Sequence, residues 1–570
     1  MATELISLSI LFACSIIGGL IAYRFKQPAV LGLLVVGALI GPNTLNIVKD
    51  IGIVNMFVDF GAVILLFLVG LEFDLKKLMR FGTRTILTAL LKNGITIFVG
   101  YEAAVWFGFS TKAALFIGVI LSFSSTVIIV KVLEQKSMYN RKEVPFLVSV
   151  LIIEDILAVA TITFFSGVRN RSLNLVSSIE HITLSLALLI LTYFITLKLI
   201  KYVINIVSKS PNDDHLTFLS LALCGSFSYL ALTLGLSPSA GAFIAGSIVA
   251  SLPNSKSYAR AISPYVLIST SIFFISIGTL VNFGAIGFNL RLIMVMVLIV
   301  LITRLFAVSI ITSLLANFKR EQPIFSGIAM ISIGEFSLLI AKESSKYNLG
   351  IDLVTITSVV IFVTAVIMSL SINYSENIYS AISSRTPLRW KNKIEYISEK
   401  IRNFFDQIEV ENFFTKKFKK EINAAIIWIG ILILFSFTAR RMIMYIISLH
   451  VNRIPLYTSY ILVSSTAIVL TYIFYRKSLL AYNTLAVIIS NISSSHNIKR
   501  SKKILNNLIA ALLITFLALL SPFIMFVTNF GMLFNLVPFL LFILAIYFVR
   551  GIFTNKSTSI YQKSSDSWTY

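Results

Sequence analysis

Stretches of about 20 apolar residues recur from one end of this chain to the other, and no other feature restricts its folding as much. A bilayer-spanning helix needs about 20 residues, which is the length of these runs. The chain is therefore read as an all-α polytopic membrane protein. Composition agrees: of 570 residues, 57% are hydrophobic and 13% charged, with a mean hydropathy of +0.90. Soluble domains carry about 25% charged residues. A net charge of +23 would suggest nucleic acid in a soluble chain. Here the basic residues sit in short loops between apolar runs, where they set topology, and no nucleic-acid partner is expected. The start, Met-Ala-Thr-Glu-Leu, lacks a basic n-region, so the first run reads as a retained helix and not a cleaved signal. Cys14 and Cys224 both fall inside apolar runs, which argues against a disulfide framework or a metal cluster. No cofactor is expected.

The apolar runs place spans at 3–22, 28–42, 54–73, 84–106, 112–134, 144–167, 179–206, 215–234, 238–252, 261–281, 289–317, 323–343 and 351–374, about thirteen crossings. Arg24/Lys26, Lys76/Lys77/Arg80/Arg84, Lys136/Arg141/Lys142, Lys201/Lys209, Lys256/Arg260 and Lys319/Arg320 then fall on alternate loops. The positive-inside rule puts the N-terminus outside and residues after 374 in the cytoplasm. The second and ninth spans, Pro28–Pro42 and Pro238–Leu252, are short and rich in small residues. They lie an odd number of helices apart, so they run in opposite directions, which is the signature of an inverted repeat. The repeat pairs the fifth span with the twelfth, and the first six spans with the last six. Beyond it, 381–421 is rich in Lys and Arg among aromatics and acids and reads as a basic amphipathic cytosolic linker. Residues 422–570 carry about four more crossings, near 422–439, 456–475, 504–527 and 530–549, with 478–502 on the cytosolic surface.

Glu154 and Asp155 stand side by side inside Val144–Phe165, which is otherwise almost wholly apolar. Each mid-bilayer carboxylate costs about 2.5–3.5 kcal/mol on insertion scales, so an adjacent pair implies an ion or proton site. The fifth span carries a hydroxyl cluster, Ser122, Ser124, Ser125 and Thr126, and its repeat mate carries Gly334-Glu335-Phe336-Ser337. Both are places where a helix can break, exposing carbonyls and half-helix dipole ends that serve as cation ligands in transporters. Arg304, mid-span in the eleventh helix, requires a carboxylate partner. The expected pair is Arg304 with one of Glu154 and Asp155, leaving the other for the ion. Lys92 is a second basic candidate, able to snorkel toward the cytoplasmic interface.

Six segments together resemble the monovalent cation:proton antiporter-2 family, the Kef and NapA-type exchangers. They are 61–72 (GAVILLFLVGLE), 124–131 (SSTVIIVK), 151–156 (LIIEDI), 239–246 (SAGAFIAG), 273–278 (FFISIG) and 334–336 (GEF), in the family's order across roughly residues 1–380. The resemblance implies a homodimer and a thirteen-helix inverted-repeat antiporter fold with two discontinuous crossing helices. It implies elevator-like motion of a core bundle against a dimerisation bundle. It makes Asp155 the carboxylate that binds the transported monovalent cation or the proton, with Ser125 and Thr126 on the broken crossing and a basic residue at Arg304. Glu154, in the position before the aspartate, bears on stoichiometry, and Glu335 is a possible site on the second crossing. The C-terminus departs from the family: no G-x-G-x-x-G follows a strand pattern, so no nucleotide-binding regulatory domain is expected.

These readings point to a secondary antiporter exchanging Na+ or K+ for H+, and no enzyme is expected, since no nucleophile–base constellation or metal-ligand spacing appears. The plasma membrane of a prokaryote and electroneutral exchange are expected. A Kef-like potassium efflux system with channel-like behaviour is the alternative, although no T-V-G-Y-G filter is present. A transport-inactive membrane sensor or scaffold is the third reading.

Overall fold

The computed structural model describes residues 2–72, 82–169, 214–234, 236–252, 255–316, 318–387, 415–425 and 456–492, with scattered positions within 192–200, 395–399, 428 and 506–544. The seventh span, most of the basic linker and the crossings near 422–439, 504–527 and 530–549 fall wholly or largely outside them. Contacts gather into two units, Met1–Asn392 with Pro522–Phe530, and Lys393–Ser521 with Gly531–Tyr570. In the first unit the chain forms α1 (Ala2–Arg24), α2 (Ala29–Ile40), α3 (Ile51–Glu72), α4 (Thr83–Trp106), α5 (Thr111–Ser122), α6 (Thr126–Gln135), α7 (Val144–Arg169), α8 (Asp214–Thr233), α9 (Pro238–Ala250) and α10 (Ser255–Thr279). There follow α11 (Phe283–Ile302), a π-helical turn (Thr303–Val308), α12 (Ser309–Leu315), α13 (Gln322–Ala329), α14 (Glu335–Ser344), α15 (Leu353–Ser371) and α16 (Ser375–Arg385). Seven stretches among the described helices are long and apolar enough to cross a bilayer. No strand occurs among the described residues.

The helices sort into two bundles. α1, α2, α3, α8, α9 and α10 pack mainly on one another; α4–α7 and α11–α16 do the same. The fifth and twelfth spans are both discontinuous, as α5/α6 and α13/α14. The inverted repeat is visible in glycine contacts of the first bundle. A Cβ at Gly37 would lie 2.2 Å from the Ile275 carbonyl oxygen beside Gly278, and one at Gly246 would lie 2.1 Å from the Phe67 carbonyl oxygen beside Gly70. Gly37 and Gly246 are mates 209 positions apart, and Gly70 and Gly278 are mates 208 apart, so α2 on α10 and α9 on α3 are the same contact made twice. Without an aqueous driving force between helices, such backbone-to-backbone approach supplies the packing energy. Gly246→Val is therefore expected to cost about 1–3 kcal/mol or more through overpacking. Loss of the monodisperse peak in detergent would register it, while Gly225→Val, where a Cβ meets nothing within 4 Å, should elute as the parent does.

The second unit contains α17 (Leu456–Ile492), a single helix of 37 residues. It absorbs the expected span 456–475 and runs on to Ile492, into the segment 478–502 expected at the surface. At 1.5 Å per residue it is about 55 Å long, more than a hydrocarbon core requires. Within this unit Lys477 Nζ lies 3.1 Å from Glu421 Oε2.

Candidate ion-binding site at the crossing of two broken helices

α5 stops at Ser122 because Phe123 (φ −88°, ψ 131°) and Ser125 (φ −88°, ψ 110°) are extended. α13 stops at Ala329, and α14 begins after Gly334 (φ −152°, ψ −145°). The two breaks lie antiparallel, joined by a bridge between Ser124 and Ile333 and by Ser125 N–H donating to the Ser332 carbonyl at 2.9 Å. Gly334 permits the approach, since a Cβ there would sit 2.2 Å from Ser125 Cβ.

A helix ends with four carbonyls that lack partners in the helix. At α5 all four are satisfied from outside its backbone ladder. Ser122 Oγ donates to Val119 O at 2.8 Å, and Ser337 Oγ, from α14, donates to Ile120 O at 2.6 Å. Arg304 Nη2 donates to Leu121 O at 3.0 Å and to Ser122 O at 2.7 Å, and Lys92 Nζ donates to Ser122 O at 2.7 Å. Two cations thus occupy the negative end of this half-helix, as its dipole favours. The positive ends carry the acid: Glu335, the first residue of α14, accepts from Ser125 Oγ at 2.8 Å, and Ser125 Oγ accepts from Ile128 N–H at 3.2 Å.

The carboxylate pair is divided between two environments. Glu154 is wholly buried, and its Oε2 accepts from Lys92 Nζ and from Ser124 N–H at 3.1 Å. Asp155 keeps 6% exposure and accepts from Thr126 Oγ1 at 3.3 and 3.2 Å. Next to it Thr126 is half-buried and Val127 exposed. Glu154, Asp155, Ser125, Thr126 and Glu335 therefore gather at one crossing.

The ion pair differs from expectation. Lys92, not Arg304, holds Glu154. Arg304 sits on the π-turn and spends its guanidinium on Leu121 O, Ser122 O and, at 3.2 Å, Thr96 Oγ1. Bridging two carbonyls suits a planar fork, whereas Lys92 brings a point charge to Glu154, Ser122 O and Ser124 Oγ, the last at 2.9 Å. Depth in the span was the available signal: Lys92 lies nine residues into α4, about 13 Å along its axis, too deep to snorkel fully. Thr96 and Ser337 were also missed as partners of this shell, because only the fold brings them to the end of α5. With every group ionised, Lys92 and Arg304 face Glu154, Asp155 and Glu335, an arrangement one positive charge short of balance.

A family model described as sodium/hydrogen exchanger, transmembrane, matches residues 9–374. The chain is 29% identical over 348 residues to the probable Na+/H+ antiporter GerT of Bacillus cereus, covering 60% of this chain and 91% of that protein. It is 29% identical over 351 residues to a Na+/H+ antiporter of Enterococcus hirae, covering 60% and 90%. It is 27% identical over 364 residues to the Na+/H+-K+ antiporter GerN of Bacillus cereus, covering 63% and 92%. With a match running from within α1 to the end of α15, the chain belongs to the transmembrane sodium/hydrogen exchanger family.

Proposed function

We propose that this protein is a secondary antiporter exchanging Na+ or K+ for H+, with Asp155 as the group at which cation and proton compete. The observation that carries the reading is the division of the carboxylates. Glu154 pairs with Lys92, Glu335 lies at the positive half-helix ends, and Asp155, accepting from Thr126, keeps the largest residual exposure of the three, 6% against 0% and 2%. One monovalent cation or one proton at Asp155 completes the charge balance of the crossing, so the loaded forms are equivalent in charge and exchange is electroneutral. Thr126 and the broken-helix backbone supply further oxygen ligands. Segregation into two bundles supports an elevator motion of the half containing the crossing, and relatives named as Na+/H+ and Na+/H+-K+ antiporters support the substrates.

The protein acts as a homodimer in the plasma membrane of a prokaryote, N-terminus outside and C-terminus in the cytoplasm. Residues 1–380 form the antiporter domain, 381–421 a basic linker on the cytoplasmic surface, and 422–570 a further membrane domain. In proteoliposomes, Na+ or K+ gradients are expected to dequench a trapped pH dye and to produce no steady current on a solid-supported membrane. Absence of cation-driven proton movement across a Na+, K+ and Li+ series would refute antiport. A cation-dependent current that survives correction for binding transients, and is absent in Asp155→Asn, would refute electroneutrality alone.

A further inference from the structure

An inverted repeat builds two similar gates, one on each side of the site, and unequal contacts at the two gates decide which side rests open. Lys342, near the end of α14, reaches out of its own bundle and donates to Asn55 Oδ1 in the first turns of α3. Asp59, one turn along the same helix, also attracts this ammonium. Asp59 is exposed although it lies inside the apolar run of α3, where a carboxylate is costly unless a cation such as Lys342 attends it. Glu343, the neighbour of Lys342, pairs with Lys346 within the α14 end and leaves the lysine to α3.

The mates of these residues differ in kind. The 209-position offset that relates Ser124 to Ile333 puts Leu133 opposite Lys342. The 208-position offset of α3 and α10 puts Ser263 opposite Asn55 and Leu267 opposite Asp59. At the equivalent positions on the other face neither the cation nor the acid recurs. A polar contact between the bundles does occur beyond α1, where Gln27 Nε2 donates to Ser369 Oγ, but it is neutral and 3.4 Å long. The exposed flank of Asp155, at Thr126 and Val127, begins α6, which leads from the crossing toward the face opposite that of α14.

We propose that Lys342 with Asn55 and Asp59 is a one-sided latch between the bundles, closing the α14 face and biasing the carrier toward the state open on the α6 face. In the orientation above, this is an outer latch and a cytoplasm-open resting state. The inference rests on the two-bundle motion of the proposed function. Each cycle must break the contact, so the latch sets how often the α14 face opens.

The test is spin-label distance measurement on the full chain in nanodiscs, with labels at Gly52→Cys on α3 and Ser345→Cys beyond α14 in a Cys14→Ser/Cys224→Ser background. A charge-assisted hydrogen bond contributes enough to shift a two-state ratio about tenfold. Lys342→Met is expected to raise the long-distance population by about that factor, and Lys342→Arg to restore part of the short one. If Lys342→Met does not assemble, Asn55→Leu with Asp59→Asn removes the acceptor and the negative charge while keeping the lysine. An unchanged distance distribution in a folded latch variant overturns the proposal. This readout needs no transport, so it stands apart from the flux assay of Asp155→Asn, whose failure would count against the ion site and not the latch.

Discussion

Asp155→Asn is expected to abolish cation-driven proton movement in proteoliposomes, to below about one hundredth of the parent rate, while the protein elutes and melts as the parent does. An amide of nearly the same shape can still accept from Thr126 Oγ1, so packing is retained. It cannot take and release a proton near neutral pH, and it contributes no charge to offset a bound cation. The change also brings the fixed charges of the crossing to balance without cargo, so cation binding gains nothing from Coulomb attraction. If the variant retains a substantial fraction of exchange, Asp155 is not the site of competition.

The second large effect is on stability. Lys92→Met leaves Glu154 ionisable, wholly buried and stripped of its cation, a change that costs about 3–5 kcal/mol when one partner of a buried pair is removed. A sharp fall in the detergent melting temperature, or failure to recover folded protein, is the expected result. Adding Glu154→Gln removes the second charge and should restore a large part of the loss, because the penalty lies in the unpaired carboxylate. The double variant also leaves the net charge of the crossing unchanged, so measurable exchange is expected to persist. The comparison with Arg304 is decisive. Arg304→Met should not be rescued by Glu154→Gln, since it strands the Leu121 carbonyl and not a carboxylate, Ser122 O still accepting from Lys92. Rescue of Arg304→Met in place of Lys92→Met would reverse the assignment of the two cations.

The sequence by itself determined the elements that follow from local composition. Spanning length identified most of the helices described, and hydroxyl and glycine clusters marked the breaks at Ser125 and Gly334, because an apolar helix tolerates interruption only where polar groups can take up the freed backbone. Short, small-residue α2 and α9 disclosed the repeat before any contact was seen. Adjacent carboxylates in an apolar run marked the candidate site for the same reason of desolvation. Only the tertiary structure decided which cation meets which acid. Adjacent side chains on a helix diverge by about 100°, so separating Glu154 from Asp155 was foreseeable from the sequence. Choosing between Lys92 and Arg304 was not, because it depends on the π-turn that aims Arg304 at the end of α5 and on the depth at which α4 passes α7. Lys342 reaching α3 is likewise a product of how the bundles sit, and nothing in the residues around either position announces it.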